Sequence, residues 1–167
     1  MQWWNNLPKN LRVVSFSNEI SIRARAAGLR TMDLRYFISP DDCSQANWSK
    51  TRTLFYWNRV GIIGEPFLRK LCSVLEIDTL YFRRRIDPNR PLWCDYGMPD
   101  KIGKTRVKEL NFNHQGPDAQ KEYLQYLDNS NIFIAPRPLE GVGLSFIEAL
   151  ARGCAVLANN APTMNEY

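Results

Sequence analysis

The chain has 167 residues, of which 44% are hydrophobic and 23% charged. This balance is typical of a folded globular protein and excludes disorder as its main state. The net charge of +5 favours anionic partners such as nucleotides, phospholipid surfaces or nucleic acid, although an ordinary basic surface would give the same value. No apolar run approaches the ~18 residues of a membrane span. The four cysteines form no CxxC pair and suit neither a zinc site nor a disulfide framework, so a reducing compartment such as the cytoplasm is favoured.

The first fifty residues contain one strand–helix unit followed by a polar segment. The sequence predicts a strand over 11–17, a helix over 18–29, an extended segment over 31–40 and a loop-like linker over 41–50. Asn18 is a suitable N-cap for the helix, and Gly28 is a suitable residue for its end. This region therefore resembles one strand–helix unit of an α/β protein.

From residue 51 onward, short apolar strands alternate with amphipathic helices. The predicted strands cover 53–57, 78–82, 106–112, 131–135 and 154–158, and the predicted helices cover 65–75, 118–130 and 145–152. Strands joined by helices of this length are parallel, so the fold class is α/β with a doubly wound parallel sheet. The strands at 131–135 and 154–158 are apolar at nearly every position, which predicts helices over both sheet faces.

Helical periodicity predicts which side chains of two helices face the sheet. In the helix at 65–75 these are Phe67, Leu68, Leu71, Cys72 and Leu75, and in the helix at 118–130 they are Tyr123, Leu124 and Leu127.

The stretch PLEGVGLSFIEALARGCAV begins at Pro138 and places two glutamates and two glycines directly around the start of a helix. Ligands of parallel α/β sheets bind outside the carboxyl ends of the strands, and this loop follows such an end. Gly141 and Gly143 allow a ligand to approach the backbone. The free N–H groups of the helix, which is predicted to begin near Ser145, suit a diphosphate. Glu140 could then accept hydrogen bonds from a sugar, and Glu148 from a ribose.

Each of these residues also has a purely structural interpretation. Ser145 and Glu148 match a capping box, in which the glutamate bonds back to the helix start. Glu148 and Arg152 are spaced for an ion pair along the helix. Glu140 could be an exposed loop residue, and the glycines could serve only the turn.

The segment LEGVGLSFIEALARGCAVLANNAPTMNEY, which starts at Leu139, resembles the donor-binding segment of retaining glycosyltransferases of family 4, in the large GT-B group 1 class. The resemblance implies two Rossmann-like domains that face each other across a cleft. The N-terminal domain binds the acceptor, the C-terminal domain binds a nucleotide-diphosphate sugar, and no metal is required. It further implies a glycan or lipid-linked acceptor, peripheral membrane contact and no nucleic acid as partner.

The resemblance also assigns residues and boundaries. It implies that Glu140 and Arg59 are catalytic, with Arg59 contacting the diphosphate. The implied donor-binding residues are Gly141, Val142, Gly143, Leu144, Ser145 and Glu148. Residues 1–45 then represent a remnant of the acceptor domain with its linker, and residues 46–167 an incomplete donor-binding domain. On this interpretation the chain is a fragment with little transferase activity of its own.

The sequence departs from the family pattern at two places. No lysine follows Arg59 within RVGIIGE, although the family usually has one there. The second strand ends in Arg83, Arg84 and Arg85 rather than in a glycine-rich turn. These arginines either replace the missing charge or are simply solvated, and we expect the latter.

Two other functions remain open on these residues. A non-catalytic nucleotide-sugar or protein-binding fragment would suit the missing lysine, and the arginine run would suit nucleic acid, although charge alone is non-specific. The single histidine, His114, is expected to be a loop residue without a chemical role.

Overall fold

The structure, a computed structural model, describes residues 2–49, 51–84, 95–111, 117–135 and 137–167. Its helices are α1 (Gln2–Asn5), α2 (Asn18–Ala26), α3 (Glu65–Val74), α4 (Pro117–Asp128) and α5 (Leu144–Ala151). Its strands are β1 (Arg12–Ser15), β2 (Arg30–Asp33), β3 (Thr53–Asn58), β4 (Thr79–Arg84), β5 (Lys101–Ile102), β6 (Thr105–Leu110), β7 (Ile132–Ile134) and β8 (Ala155–Leu157). Two 3-10 turns cover Pro40–Asp42 and Met164–Glu166.

Six strands form one sheet in the order β5-β6-β4-β3-β7-β8. Every neighbouring pair is parallel except β5–β6, which is antiparallel. The predicted doubly wound parallel α/β fold is therefore confirmed. The strand order reverses between β3 and β7, because the chain first builds outward through β4 and β6 and then returns to the other side of β3. Such a reversal is the point at which open α/β sheets bind ligands.

The hydrophobic core lies on both faces of this sheet. Alternating side chains of β3 point to opposite faces, so Phe55 joins the cluster that contains Leu127 of α4 and Phe146 of α5. Leu54 joins the opposite cluster with Leu68 of α3. Full burial of each such side chain contributes about 1.5–3 kcal/mol, so the two clusters fix the helices on either side of the strands.

Two burial predictions were wrong. Phe67 is 55% exposed, because the buried line of α3 runs through Leu68 and Cys72, one turn apart. Strand β7 is buried at all three positions as predicted, but Ala155 and Leu157 of β8 are exposed. Strand β8 is the edge of the described sheet and pairs only with β7, so it lacks the cover that a central strand has.

The strands and helix at the N-terminus form a separate unit, β1–α2–β2, with a two-stranded parallel sheet. Helix α2 is present where it was predicted, and Gly28 adopts a φ of 78° just beyond its end. The N-cap is Ser17 rather than Asn18. Val14 and Met32 lie opposite each other in the sheet and remain 56% and 62% exposed.

Glu166, at the other end of the chain, connects this N-terminal unit to the six-stranded sheet. Its carboxylate accepts hydrogen bonds from the Ser17 hydroxyl (2.8 Å), the Asn18 N–H (2.6 Å) and the Arg35 guanidinium (2.8 Å). Burial by itself would raise the pKa of Glu166, but the Asn18, Ser17 and Arg35 hydrogen bonds outweigh it and lower the pKa to about 2. An anion therefore sits at the N-terminus of α2, where the helix dipole favours negative charge.

The predicted linker contacts the C-terminal end of α5. The Ala46 N–H donates to the Arg152 carbonyl (2.7 Å), the Gln45 side-chain amide donates to the Ala151 carbonyl (3.1 Å), and the Trp48 indole N–H donates to the Gly153 carbonyl (3.2 Å). The last carbonyl oxygens of a helix receive no hydrogen bond from an N–H group within the helix itself. The linker supplies donors to them and so holds α5 in place.

Candidate functional site

A pocket of about 420 Å³ lies at the carboxyl ends of β3 and β7, where the strand order reverses. It is lined by Trp57, Arg59, Tyr123, Arg137, Glu140, Gly141, Val142, Gly143, Leu144, Ser145 and Glu148. All eight residues that the sequence analysis selected therefore lie around one pocket. Sequence reasoning did not select Trp57, Tyr123 or Arg137 for the site.

The start of α5 forms one wall of this pocket. Gly143 is the N-cap residue with φ 70° and ψ 49°, a left-handed conformation that favours glycine. The helix begins at Leu144, one residue earlier than predicted. The N–H groups of Phe146 and Ile147 both donate to the Gly143 carbonyl at 3.0 Å, whereas those of Leu144 and Ser145 have no acceptor within the helix. These two donors and the helix dipole make the wall suited to an anion.

Gly141 lies over open space. A Cβ atom added to it would have no described atom within 4 Å, whereas a Cβ on Gly143 would lie 3.6 Å from the Glu140 Cβ. The backbone at Gly141 is therefore accessible to a bound molecule, and the two glycines differ in what they provide. Gly143 provides the turn, and Gly141 provides space.

Glu140 is held at the pocket wall by an ion pair. Its carboxylate lies 3.5 Å from the Arg137 guanidinium, and its side chain is only 10% exposed. Arg137 comes three residues earlier in the loop that follows β7, and that spacing is the signal that could have identified it. The interpretation of Glu140 as a simple exposed loop residue is wrong. A fixed carboxylate of this kind can accept hydrogen bonds from ligand hydroxyls.

Glu148 makes neither of the two structural interactions considered from the sequence. Ser145 is not the N-cap, and α5 has no side-chain capping hydrogen bond. Arg152 pairs with Asp128 at 2.6 Å and reaches only the backbone carbonyl of Glu148, at 3.0 Å. Among the described residues, the Glu148 carboxyl thus has no ion pair, and it faces the pocket.

Burial perturbs the titration of Glu148 and of its neighbour Tyr123. Burial raises the pKa of Glu148, while the nearby Tyr123 hydroxyl and the Arg152 charge partly oppose the shift. Burial first, and then the Glu148 charge, hold the pKa of Tyr123 well above its usual value. The Tyr123 hydroxyl is buried without a hydrogen bond of acceptable geometry in the described part of the protein, although Glu148 is near enough to affect it. Two polar groups are thus placed together in the pocket wall.

Two arginine side chains contact the indole ring of Trp57 at the pocket. The guanidinium carbon of Arg59, the residue after β3, lies 4.6 Å from the Trp57 ring centroid, and that of Arg83 lies 3.9 Å from it. Arg83 is only 2% exposed, so the expectation of a solvated side chain was wrong for this residue. Arg84 pairs with Asp95 at 2.8 Å. Arg85 lies outside the described residues.

Other sequence predictions concern metal, membrane and histidine. The described residues contain no group of three or more His, Cys, Asp or Glu side chains that could hold a metal ion. Within the same ranges, no helix is both long and apolar enough to cross a membrane. His114 lies outside the described residues. Cys72 and Cys154 are buried and unpaired, as expected for small core residues.

The fold and the pocket together define an α/β protein with a polar pocket at the carboxyl ends of its parallel strands. Residues 104–167 match the model of the family Glycosyl transferases group 1. The matched segment includes β6, α4, β7, α5 and β8, and with them the loop from Arg137 to Gly143. No curated protein matches the chain. The match supports a glycosyltransferase-type function for the site.

Proposed function

We propose that the chain binds a nucleotide-diphosphate sugar in this pocket and supplies the donor side of a retaining glycosyltransferase of family 4. One observation supports this most strongly. Two carboxylates, Glu140 and Glu148, flank the open N-terminus of α5 in a single pocket, and all of its lining residues except Trp57 and Arg59 lie within the segment similar to group 1 glycosyltransferases.

In this proposal each group around the pocket contacts a different part of the donor. The N–H groups of Leu144 and Ser145, with Arg59, face the diphosphate and stabilise the charge that grows on it as the sugar leaves. Glu140 accepts hydrogen bonds from the sugar. Glu148 accepts hydrogen bonds from the two ribose hydroxyls, most strongly when its carboxylate is ionised. The charge of the diphosphate is met by protein groups, so the proposal includes no metal.

The wider assignments follow from the same proposal. Residues 1–45 belong with an acceptor domain and residues 46–167 with the donor domain, and the acceptor is a glycan or a lipid-linked glycan at a cytoplasmic membrane surface. Positioning of two reactants can supply about 7–11 kcal/mol of catalysis. Because this pocket positions only the donor, we expect the chain alone to transfer sugar at a low rate.

A non-catalytic nucleotide-sugar-binding fragment is the second candidate. It is favoured by the absence of a lysine among residues 60–65, since Arg59 is then the only cation supplied by the loop directly after β3. Transfer to a defined acceptor, even at the low rate expected of the chain alone, would favour the first candidate, because only the first includes chemistry.

The two glutamates provide the sharpest test of the proposal. Calorimetry would compare a nucleotide sugar with the bare nucleoside diphosphate, starting from a panel of UDP-, GDP- and ADP-sugars. Glu140→Gln should weaken the nucleotide sugar by about 1–3 kcal/mol and leave the diphosphate nearly unchanged. Glu148→Gln should weaken both ligands, because both contain the ribose.

Glu76→Gln is the matched control, since this side chain is 79% exposed and follows α3 at the opposite end of the strands. It should change neither affinity. Unaltered binding of both ligands to the Glu140 and Glu148 variants would refute the donor-site proposal.

A further inference from the structure

Arg83 has an unusual place for a charged residue. It lies at the carboxyl end of β4, opposite Trp57 in the parallel register, and it is 2% exposed. The alternation along β4 puts it on the same face as Tyr81, which packs against the cluster between the sheet and helices α4 and α5. Removing a guanidinium from water is costly, and an apolar side chain of similar size usually serves a core as well or better. Packing alone therefore does not account for an arginine here.

The contacts of Arg83 point toward the pocket. Its guanidinium carbon lies 3.9 Å from the Trp57 ring centroid and 6.0 Å from the Tyr123 ring centroid, and both rings line the pocket. A guanidinium over an indole is an attractive arrangement, because the ring face carries partial negative charge. Arg83 therefore lies behind the pocket wall and holds part of that wall in place.

Two cations share the indole of Trp57, since Arg59 lies 4.6 Å from the same ring centroid. Both guanidinium groups carry a positive charge, so they repel each other. An anion in the pocket would reduce this repulsion. Of the other charges around the pocket, Arg137 and Glu140 offset each other as an ion pair, and Glu148 adds a negative charge when it is ionised. Arg83 adds a buried positive charge that solvent screens poorly.

We propose that Arg83 is a positioning residue for the diphosphate part of the ligand. It fixes the orientation of the Trp57 indole and contributes positive potential through the pocket wall without touching the ligand. This inference rests on the proposed function, because it takes the anion in the pocket to be a nucleoside diphosphate.

Two substitutions of Arg83 separate this effect from simple packing. Arg83→Met removes the charge but keeps the bulk, and Arg83→Lys keeps a charge without the planar stack. Calorimetry would measure a nucleoside diphosphate and the matching nucleoside, and urea unfolding would measure stability. We expect Arg83→Met to weaken the diphosphate about tenfold and the nucleoside less than about twofold, with an unchanged or raised urea midpoint. Arg83→Lys should recover most of the diphosphate affinity.

Arg84→Met is the matched control, because Arg84 is adjacent in sequence but partly exposed and paired with Asp95. It should change diphosphate affinity less than about twofold, since exposed charges are screened. Equal losses for both ligands in Arg83→Met, or no recovery in Arg83→Lys, would overturn the inference. Unchanged diphosphate binding in Arg83→Met would overturn it while leaving the proposed function intact. Failure of the natural sequence to bind any nucleoside diphosphate would refute both.

Discussion

The N-terminal unit and the six-stranded sheet use the same strand–helix–strand pattern but differ in how they are stabilised. In β3 every residue except Trp57 is buried, whereas in β1 only Ser15 is buried. Parallel strands are stable when both faces of their sheet are covered. Helices cover both faces of the larger sheet, but α2 covers only one face of the β1–β2 pair. The comparison shows that a local pattern does not by itself determine burial.

The N-terminal unit buries a few small apolar side chains, such as Ala24 and Leu29, and adds a few directed polar contacts. Glu166 bonds to the start of α2 and to Arg35, and the Arg35 guanidinium also lies 5.6 Å from the Tyr167 ring centroid. Such contacts are specific but few, and each is sensitive to charge. The two regions should therefore respond differently to apolar substitutions, charge removal and pH.

The largest difference should come from removing an apolar side chain in each region. Phe55 is fully buried between Phe133 and Tyr123, so Phe55→Ala should lower the free energy of unfolding by about 3–5 kcal/mol. Met32→Ala, in the N-terminal unit, should change it by less than about 0.5 kcal/mol. Urea unfolding measures both values. Similar losses in the two variants would show that the β1–β2 face is covered in solution.

Removing the charge of Glu166 should loosen the N-terminal unit selectively. Charge-assisted hydrogen bonds contribute about 1.5–3 kcal/mol, so Glu166→Gln should lower the local stability of α2 by about that amount. Amide hydrogen exchange should become faster in α2 and stay unchanged in β3 and β7. Glu19→Gln is the control, because its ion pair with Arg23 is exposed and should contribute little. Equally faster amide exchange in α2, β3 and β7 would contradict a selective effect on the N-terminal unit.

Acid should reproduce the Glu166 effect. The pKa of Glu166 is about 2 in the folded protein, below its ordinary value of 4.5, so the ionised carboxylate favours the folded state. This contribution is fully present above about pH 4.5 and is lost as the pH falls toward 2. Exchange in α2 should therefore accelerate across this window in the natural sequence and less in Glu166→Gln. If exchange in α2 of Glu166→Gln showed the same pH dependence as in the natural sequence, the effect would belong to another titrating group.

The smallest effects should separate the two glycines of the pocket. Gly143→Ala places a side chain at φ 70° and should cost about 1–2 kcal/mol of stability. Gly141→Ala meets no described atom and should leave stability unchanged or raise it by up to about 1 kcal/mol. If a ligand lies over Gly141, its affinity should nevertheless fall in Gly141→Ala. Thermal unfolding with and without a nucleoside diphosphate tests both expectations, and an unaltered affinity would place the ligand elsewhere.

The sequence was a good guide to the six-stranded sheet and a poorer guide to its edges. Apolar runs such as 131–135 identified the parallel strands, because a strand that is buried on both faces is apolar at nearly every position. The two-residue strand β5 lies in a segment rich in proline, glycine and charge and has too few residues for any period. The exposure of Leu157 depends on strand order, which no local pattern contains.

The lining residues of the candidate site that could be predicted are those whose residue type and place in the sequence both indicate ligand binding. Glu140 and Glu148 could be predicted to lie at one pocket, because glycines and a helix start lie between them. Tyr123 was correctly predicted to face inward, but its helical spacing does not reveal that its hydroxyl reaches a pocket. Arg83 looked solvated because it begins a run of three arginines. Its burial depends on the register with Trp57, which is a tertiary property.

The contacts of the linker and of Glu166 also determine the order in which the chain can fold. Gln45 bonds to Ala151, 106 residues later, and Ser17 bonds to Glu166, 149 residues later. At about 5–20 residues per second of synthesis, the residues of the partner helix are synthesised roughly 5–20 s after the linker. Contacts this distant in sequence form slowly, since a long loop must close first. We therefore expect docking of the N-terminal unit to be a late step, and Val14 and Met32 still face solvent once it is complete.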